Sequence, residues 1–185
     1  MSGRRMVIGA LLAAAAVLAG CSDTTPPVAA AGTLADSADQ VLSVVRVALH
    51  NEGLQRGRLT ADTAFVFDEG TRFEMVDVHV TFFNDIGAPN GTLTSREGTY
   101  NTRAGTMEAR GNVVVTNPLG RRLESPQLRY DQALDEISSD SAFVATEPDG
   151  RRIEGVGFTS DPDLNNIRIR KTTGAIGGAF VIPNQ

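Results

Sequence analysis

The chain has 185 residues, with 17 Lys and Arg against 22 Asp and Glu, two Tyr, no Trp and a single Cys. The formal charge of −5 argues against a nucleic-acid partner, because such proteins neutralise phosphates with a basic surface. One cysteine excludes an internal disulfide, so the fold has to rest on a core supplied by Val, Leu, Ile and Phe.

Residues 1–20 read as an export signal. Arg4 and Arg5 give a positive start, and residues 6–19 form an uncharged apolar run that closes on Leu18, Ala19, Gly20 and Cys21. The run is 14 residues long, shorter than the ~18 to 20 that cross a hydrocarbon core as a helix. Its length therefore predicts cleavage. The last four residues resemble the bacterial lipobox, in which small side chains let a peptidase reach the bond before a cysteine that carries a diacylglycerol thioether. Cys21 is the expected lipidation site, and the competing reading is an ordinary signal peptide with an incidental cysteine. Removing residues 1–20 leaves 15 basic against 22 acidic residues. Residues 21–38, rich in Ser, Asp, Thr, Pro, Ala and Gly without periodicity, predict a flexible tether.

Residues 39–171 predict one domain. Within 41–50 two readings stay open. Val41, Val44, Val45, Ala48 and Leu49 fit a helical face that Asp36 or Ser37 could cap, whereas Val45, Val47 and Leu49 fit a strand entering the turn Asn51-Glu52-Gly53. A strand near 45–49, after a short helical turn, is preferred. A strand through Leu59 and Ala61 follows. Val76, Val78, Val80 and Phe82 alternate with Asp77, His79 and Thr81, the period of a half-buried strand. Phe73 and Met75 lie on the other parity, so a β-bulge is expected between 75 and 76.

From Leu93 the chain repeats every 30 residues without a gap, as 93–122, 123–152 and a partial copy over 153–171, with a looser copy before them from Leu59. Identical pairs in the first two copies include Leu93/Leu123, Ser95/Ser125, Tyr100/Tyr130, Pro118/Pro148, Gly120/Gly150, Arg121/Arg151 and Arg122/Arg152. A repeat of this length is one structural unit stacked several times. Period-two alternation in 107–116 and 137–145, punctuated by turn residues at 101–105, 118–120 and 148–150, makes each unit an antiparallel hairpin. Residues 165–171 predict the last strand, with an exposed edge, and 172–185 a loose tail. Hairpins with one apolar face must bury it against another sheet, which gives a sandwich, a jelly roll or a closed barrel. Periodicity leaves open whether that face is a dry core or a trough.

Catalytic constellations are missing. His50 and His79 alternate with apolar neighbours on the wet face, and no phosphate loop, Gly-x-Ser-x-Gly or Cys/His cluster occurs. Asp161-Pro-Asp163-Leu-Asn165 begins like a calcium loop but has Asn166 and Thr172 where Gly and Glu are needed, so it reads as a turn. Asp131, Asp135, Glu136 and Asp140 read as a solvated turn. The expectation is a protein that is not an enzyme, with no cofactor and no metal. Arg121, Arg122, Arg151 and Arg152 recur at one point of successive repeats and predict a basic ledge, which serves either lipid phosphates or protection of strand ends against edge pairing.

The segments Leu93-Thr-Ser-Arg-Glu-Gly-Thr-Tyr100, Met107-Glu-Ala-Arg-Gly-Asn-Val-Val-Val115 and Gly120-Arg-Arg-Leu-Glu124, followed by Leu128-Arg-Tyr130, resemble the LptC family of lipopolysaccharide export. The most specific piece is Glu108-Ala-Arg-Gly-Asn-Val113, and the resemblance covers 39–171. It implies an all-β fold, an antiparallel twisted open β jelly roll whose apolar groove holds lipid A acyl chains. The residues expected to line it are Phe67, Val78, Val80, Phe82, Leu93, Tyr100, Met107, Val113, Val115, Leu123, Tyr130 and Phe143. The partners it implies are lipopolysaccharide, the permease jelly rolls of the inner-membrane Lpt ABC transporter, and an LptA-like periplasmic bridge protein that pairs with the edge near 165–171. The family is held by an uncleaved transmembrane helix, whereas this chain is expected to be anchored on the periplasmic side by a lipid on Cys21, with the family role favouring the inner membrane. The alternative is a scaffold lipoprotein with a dry β core.

Overall fold

Alternation of apolar and polar side chains produces strands through almost all of residues 33–176, the part of the chain that the computed structural model describes. The expected export signal, Cys21 and most of the expected tether lie outside the described residues. One helical turn, α1 (Leu34–Ser37), precedes nine strands: β1 (Gln40–Asn51), β2 (Leu54–Phe67), β3 (Arg72–Phe83), β4 (Pro89–Asn101), β5 (Thr106–Thr116), β6 (Arg122–Asp131), β7 (Glu136–Thr146), β8 (Arg152–Ser160) and β9 (Arg168–Ile176). They form a single antiparallel sheet in sequence order, so β1 and β9 are its edges. The described fold is all-β, as the patterning predicts. Residues 41–50 are strand, and the helical turn ends before them.

The 30-residue period is visible residue by residue. β5 and β7 share one pattern of burial along their whole length. The turns that follow them close alike, with Asn117 N donating to Arg121 O at 3.0 Å and Glu147 N to Arg151 O at 2.8 Å. Gly120 and Gly150 sit at φ +85° and +84° in these turns, the left-handed region that an L side chain avoids.

Near mid-strand the alternation slips, so that two consecutive side chains face outward. Val76 and Asp77 lie between buried Met75 and Val78, Arg96 and Glu97 between Ser95 and Gly98, and Pro126 and Gln127 between Ser125 and Leu128. β5 and β7 instead keep their parity across this line, because each inserts one extra residue into the ladder, between Arg110 and Val113 and between Ser139 and Ala142. The bulge expected at 75–76 is absent. β3 keeps one register with both neighbours through 76–78, and the reversal is made instead by Asp77 at φ +54°. An Asp tolerates that conformation better than most residues. Val44 at φ +56° and Gly157 at φ +74° continue this line of kinks across the sheet.

Buried serines brace the line. Ser95 Oγ donates to Glu97 O at 2.9 Å and Ser125 Oγ to Gln127 O at 2.9 Å, at equivalent points of two repeats. Ser125 also reaches Ala142 O at 3.1 Å, and Ser139 Oγ donates to Gln127 O at 2.7 Å. These bonds occupy carbonyls that the interrupted ladder leaves short of partners.

Bent and twisted in this way, the sheet rolls until its own inward faces meet. Phe82 of β3 packs on Tyr130 of β6, with ring centroids 5.1 Å apart. Asn51 Nδ2 donates to Ala133 O at 3.4 Å and Gln132 Nε2 to His50 O, joining the end of β1 to the β6–β7 turn. The last strand starts at Arg168 instead of 165 and continues to Ile176, so residues 172–176 belong to the sheet and not to a tail. Residues 161–167 form the turn before it.

Candidate functional site

The inward face is one continuous apolar cluster. All twelve residues expected to line a groove are buried, between 0 % and 8 % exposed, and eleven of them share this cluster. Phe67 does not. It lies at the end of β2 beneath the Arg72 guanidinium, which stands 4.2 Å from its ring.

The interior is filled by a match of large side chains to small ones. A Cβ on Gly98 would lie 2.9 Å from Val78 Cγ2, and one on Gly155 2.7 Å from Phe143 Cε1 and from Lys171 O. Phe143 and Phe158 meet edge to face at 5.1 Å. Glycine and serine positions such as Gly98, Gly155, Ser95 and Ser125 carry no hydrophobic signal, so periodicity alone does not select them. Leu164 was missed for a different reason. It lies in a turn, yet it is fully buried in the cluster. Towards the unpaired edges the packing loosens, and Val47 of β1 and Ile169 of β9 are only partly buried against the core. Leu42, opposite Ala64, is 37 % exposed.

Two buried phenols carry the polar tips of this interior. Tyr130 OH donates to Asp135 Oδ1 at 3.0 Å and Tyr100 OH to Gln132 Oε1 at 3.3 Å. Burial raises both pKa values above the ordinary tyrosine range, and the Asp135 carboxylate pushes Tyr130 further up. Both rings therefore stay neutral and behave as apolar bodies with one satisfied tip.

The basic ledge is charge-balanced. Arg121 pairs with Glu147 at 3.0 Å, Arg122 with Glu124 at 2.8 Å, Arg151 with Asp149 at 2.6 Å and Arg152 with Glu154 at 3.1 Å. Arg121 also donates to Leu164 O, which turns it away from the ledge. Glu124 is held below the usual carboxylate range, first by its bond from Arg122, and Asp149 by bonds from the backbone and side chain of Arg151.

Sequence reasoning missed Arg56. Its guanidinium pairs with Asp85, while its Nε is buried without a partner. It borders a cavity of about 450 Å³ shared with Asn90, Asp135, Asp161 and Asp163. A second cavity of about 460 Å³ lies among polar side chains including Thr99, Glu108, Arg129 and Arg170. His50 and His79 are exposed. Among the described residues no group of three or more His, Cys, Asp or Glu is arranged to hold a metal ion. Asp161 makes a turn, accepting from Asn165 N at 2.9 Å and Asn166 N at 3.1 Å. Burial pushes the Asp161 carboxyl up, but these bonds and one from Asp163 outweigh it and hold it low, while burial and Asp161 raise Asp163.

The site is thus an apolar interior inside an open, rolled sheet. A family model described as lipopolysaccharide-assembly, LptC-related, matches residues 9–175. No match was found among curated proteins. Membership places the chain in lipopolysaccharide transport at the periplasmic side of the envelope, with lipopolysaccharide and the Lpt transporter as partners, in a family of bridge components and not of enzymes. From the match over nearly the whole length, and from an open nine-stranded sheet with an apolar inward face, the chain belongs to the LptC-related family of lipopolysaccharide-assembly proteins.

Proposed function

We propose that the chain is a lipid-anchored bridge, tethered through Cys21, that carries lipid A acyl chains along its inward face and passes them to the next jelly roll. The observation that carries this reading is the unbroken apolar cluster in a sheet whose two edge strands have no partner strand among the described residues. An open sheet can part where a closed barrel cannot, and an unpaired edge can be continued by a neighbour's strand. On this reading β1 faces the transporter, and β9, with Arg168, Arg170 and Lys171, faces an LptA-like protein. Acyl chains would take over contacts that Val78, Val113 and Phe143 now make with other side chains. Phosphates would exchange with the carboxylates beside Arg122, Arg151 and Arg152, because exposed ion pairs of this kind are weakly held.

Tight filling around Gly98 and Gly155 favours a second reading, a scaffold with a dry core. A photo-crosslinking residue at Val113 or Phe143, compared with one at exposed Arg110 on β5, separates the two in cells. Capture of lipopolysaccharide at 113 and 143 but not at 110 is the expected result. Equal behaviour at all three positions would leave the scaffold.

A further inference from the structure

We propose that the β8–β9 turn, residues 161–167, is a movable plug that closes one mouth of the apolar interior and swings outward when an acyl chain enters. The proposal rests on the carrier reading and adds a moving part to it.

The repeat supplies the comparison. The turns at the same point of the preceding units, 102–105 and 132–135, have four residues each, whereas this one has seven. Leu134 and Leu164 are equivalent in the 30-residue register. Leu134 is 70 % exposed, as a turn-tip side chain is expected to be, and Leu164 is 0 % exposed inside the core cluster. The third turn is therefore folded inward where its counterpart points to solvent.

Reaching the core strains the turn. Leu164 has φ +59°, in the left-handed region that a residue with a Cβ avoids. A few polar contacts from the first half of the sheet offset this. Asn117 Nδ2 donates to Asp163 O at 2.8 Å, Asn90 Nδ2 to Asp163 Oδ2 at 3.3 Å, and the Arg121 guanidinium to Leu164 O. Pro162 O lies so close over Gly91 that a Cβ there would be 2.5 Å away. Asn117 is itself only 5 % exposed, and its Oδ1 accepts from Arg121 N at 2.9 Å, so two of the three anchoring side chains come from one turn. Buried Leu164 and Pro162, partly buried Ile167 and a handful of hydrogen bonds hold the segment shut against one strained backbone angle, and every one of them can be released without unpairing a strand. Such a segment belongs to the low-stability end of a fold.

Maleimide labelling of Leu164→Cys in the full-length membrane protein, with Leu134→Cys as the exposed control and the parent chain as background, tests the idea. Without lipopolysaccharide the thiol at 164 should react far more slowly than that at 134, and added lipopolysaccharide should speed 164 several-fold and leave 134 unchanged. If a crosslinker at Val113 captures lipopolysaccharide while position 164 stays protected, the plug is overturned and the carrier reading stands. If neither capture nor a change in labelling occurs, both fall. A thiol at 164 that reacts as fast as that at 134 without lipid overturns the plug as well. Should Leu164→Cys fail to fold, Asn117→Ala loosens the same turn from outside the core. It should raise capture at Val113 several-fold, with faster amide exchange in 161–167 and at Arg121, whose N–H loses its acceptor, and unchanged capture in this variant overturns the proposal.

Discussion

Gly98 occupies a point where even a methyl group has no room. A Cβ at that position would press on Val78 Cγ2 at 2.9 Å, so Gly98→Ala should lower stability by about 1–3 kcal/mol through overpacking. Val78→Ala makes the missing space. Combined in one chain, the two substitutions should cost less than their sum, with a coupling of at least about 0.5 kcal/mol in a urea-denaturation cycle. Strict additivity would mean that Val78 is not what excludes the methyl group. Tyr130 allows a test by pH. Its folded pKa is raised by burial and by Asp135, so its proton is held in the folded state after the unfolded chain has begun to lose it near pH ~10. Its contribution is fully present below that pH and is lost as pH rises towards the folded value. Tyr130→Phe should flatten the alkaline fall of stability, and the part that remains reflects Tyr100, which is shifted in the same direction. A variant whose alkaline unfolding curve overlays the parent's would contradict this. The large inward residues were legible because period two marks them. Ser95 and Ser125 were not, since a hydroxyl that clasps a backbone carbonyl looks like any polar strand residue. The balanced ledge was half legible: Arg122 with Glu124 and Arg152 with Glu154 are two apart and so share a face of their strands, whereas the Arg121–Glu147 pair joins two turns and has no local signal.

At the scale of the strand, the line of kinks sets how the sheet curves. Most kinks fall on Gly, Asn or Asp, which tolerate the left-handed region. Val44 is the exception, a β-branched residue at φ +56° that is 70 % exposed and so has little packing to lose. Val44→Gly should relieve about 1–2 kcal/mol of strain against about 0.5–1 kcal/mol of added chain entropy. A small rise in melting temperature is expected, and a fall would show that the kink is held by contacts of the valine itself. The phase slip in β3 was readable in the order of Phe73, Met75, Val76 and Val78, but not its mechanism. An inserted residue and a reversed φ both exchange inside for outside, and the sequence pattern is the same for each. The late start of β9 was hidden for a related reason. Asn165, Asn166 and Ile167 fit a strand by alternation, while the Asp161 carboxylate draws the amides of 165 and 166 into the turn.

For the molecule as a whole, the repeat made the fold class plain, because a 30-residue hairpin unit with one apolar face has few ways to bury it. Whether that face carries cargo lay beyond periodicity, since the same pattern describes a filled core and a trough. The anchor is testable apart from the cargo. Cys21→Ala should give a precursor of altered gel mobility that no longer partitions with membranes as the parent does, whereas unchanged mobility and partition would sink the lipid-anchor reading and leave the protein to another form of attachment. A lipid at position 21 would leave 12 residues before Leu34, a reach of at most ~40 Å, and would keep the sheet near the bilayer surface.

The repeating unit has one more property, which is one of parity. Every unit contributes two strands, so gaining or losing a whole unit would move the far edge by about 10 Å and leave the terminal strand running in the same direction. Half a unit would reverse it, and a neighbour that continues the sheet would meet a strand of the wrong polarity. The span of such a protein can therefore vary between relatives only in steps of two strands if the direction offered at its edge is to be kept.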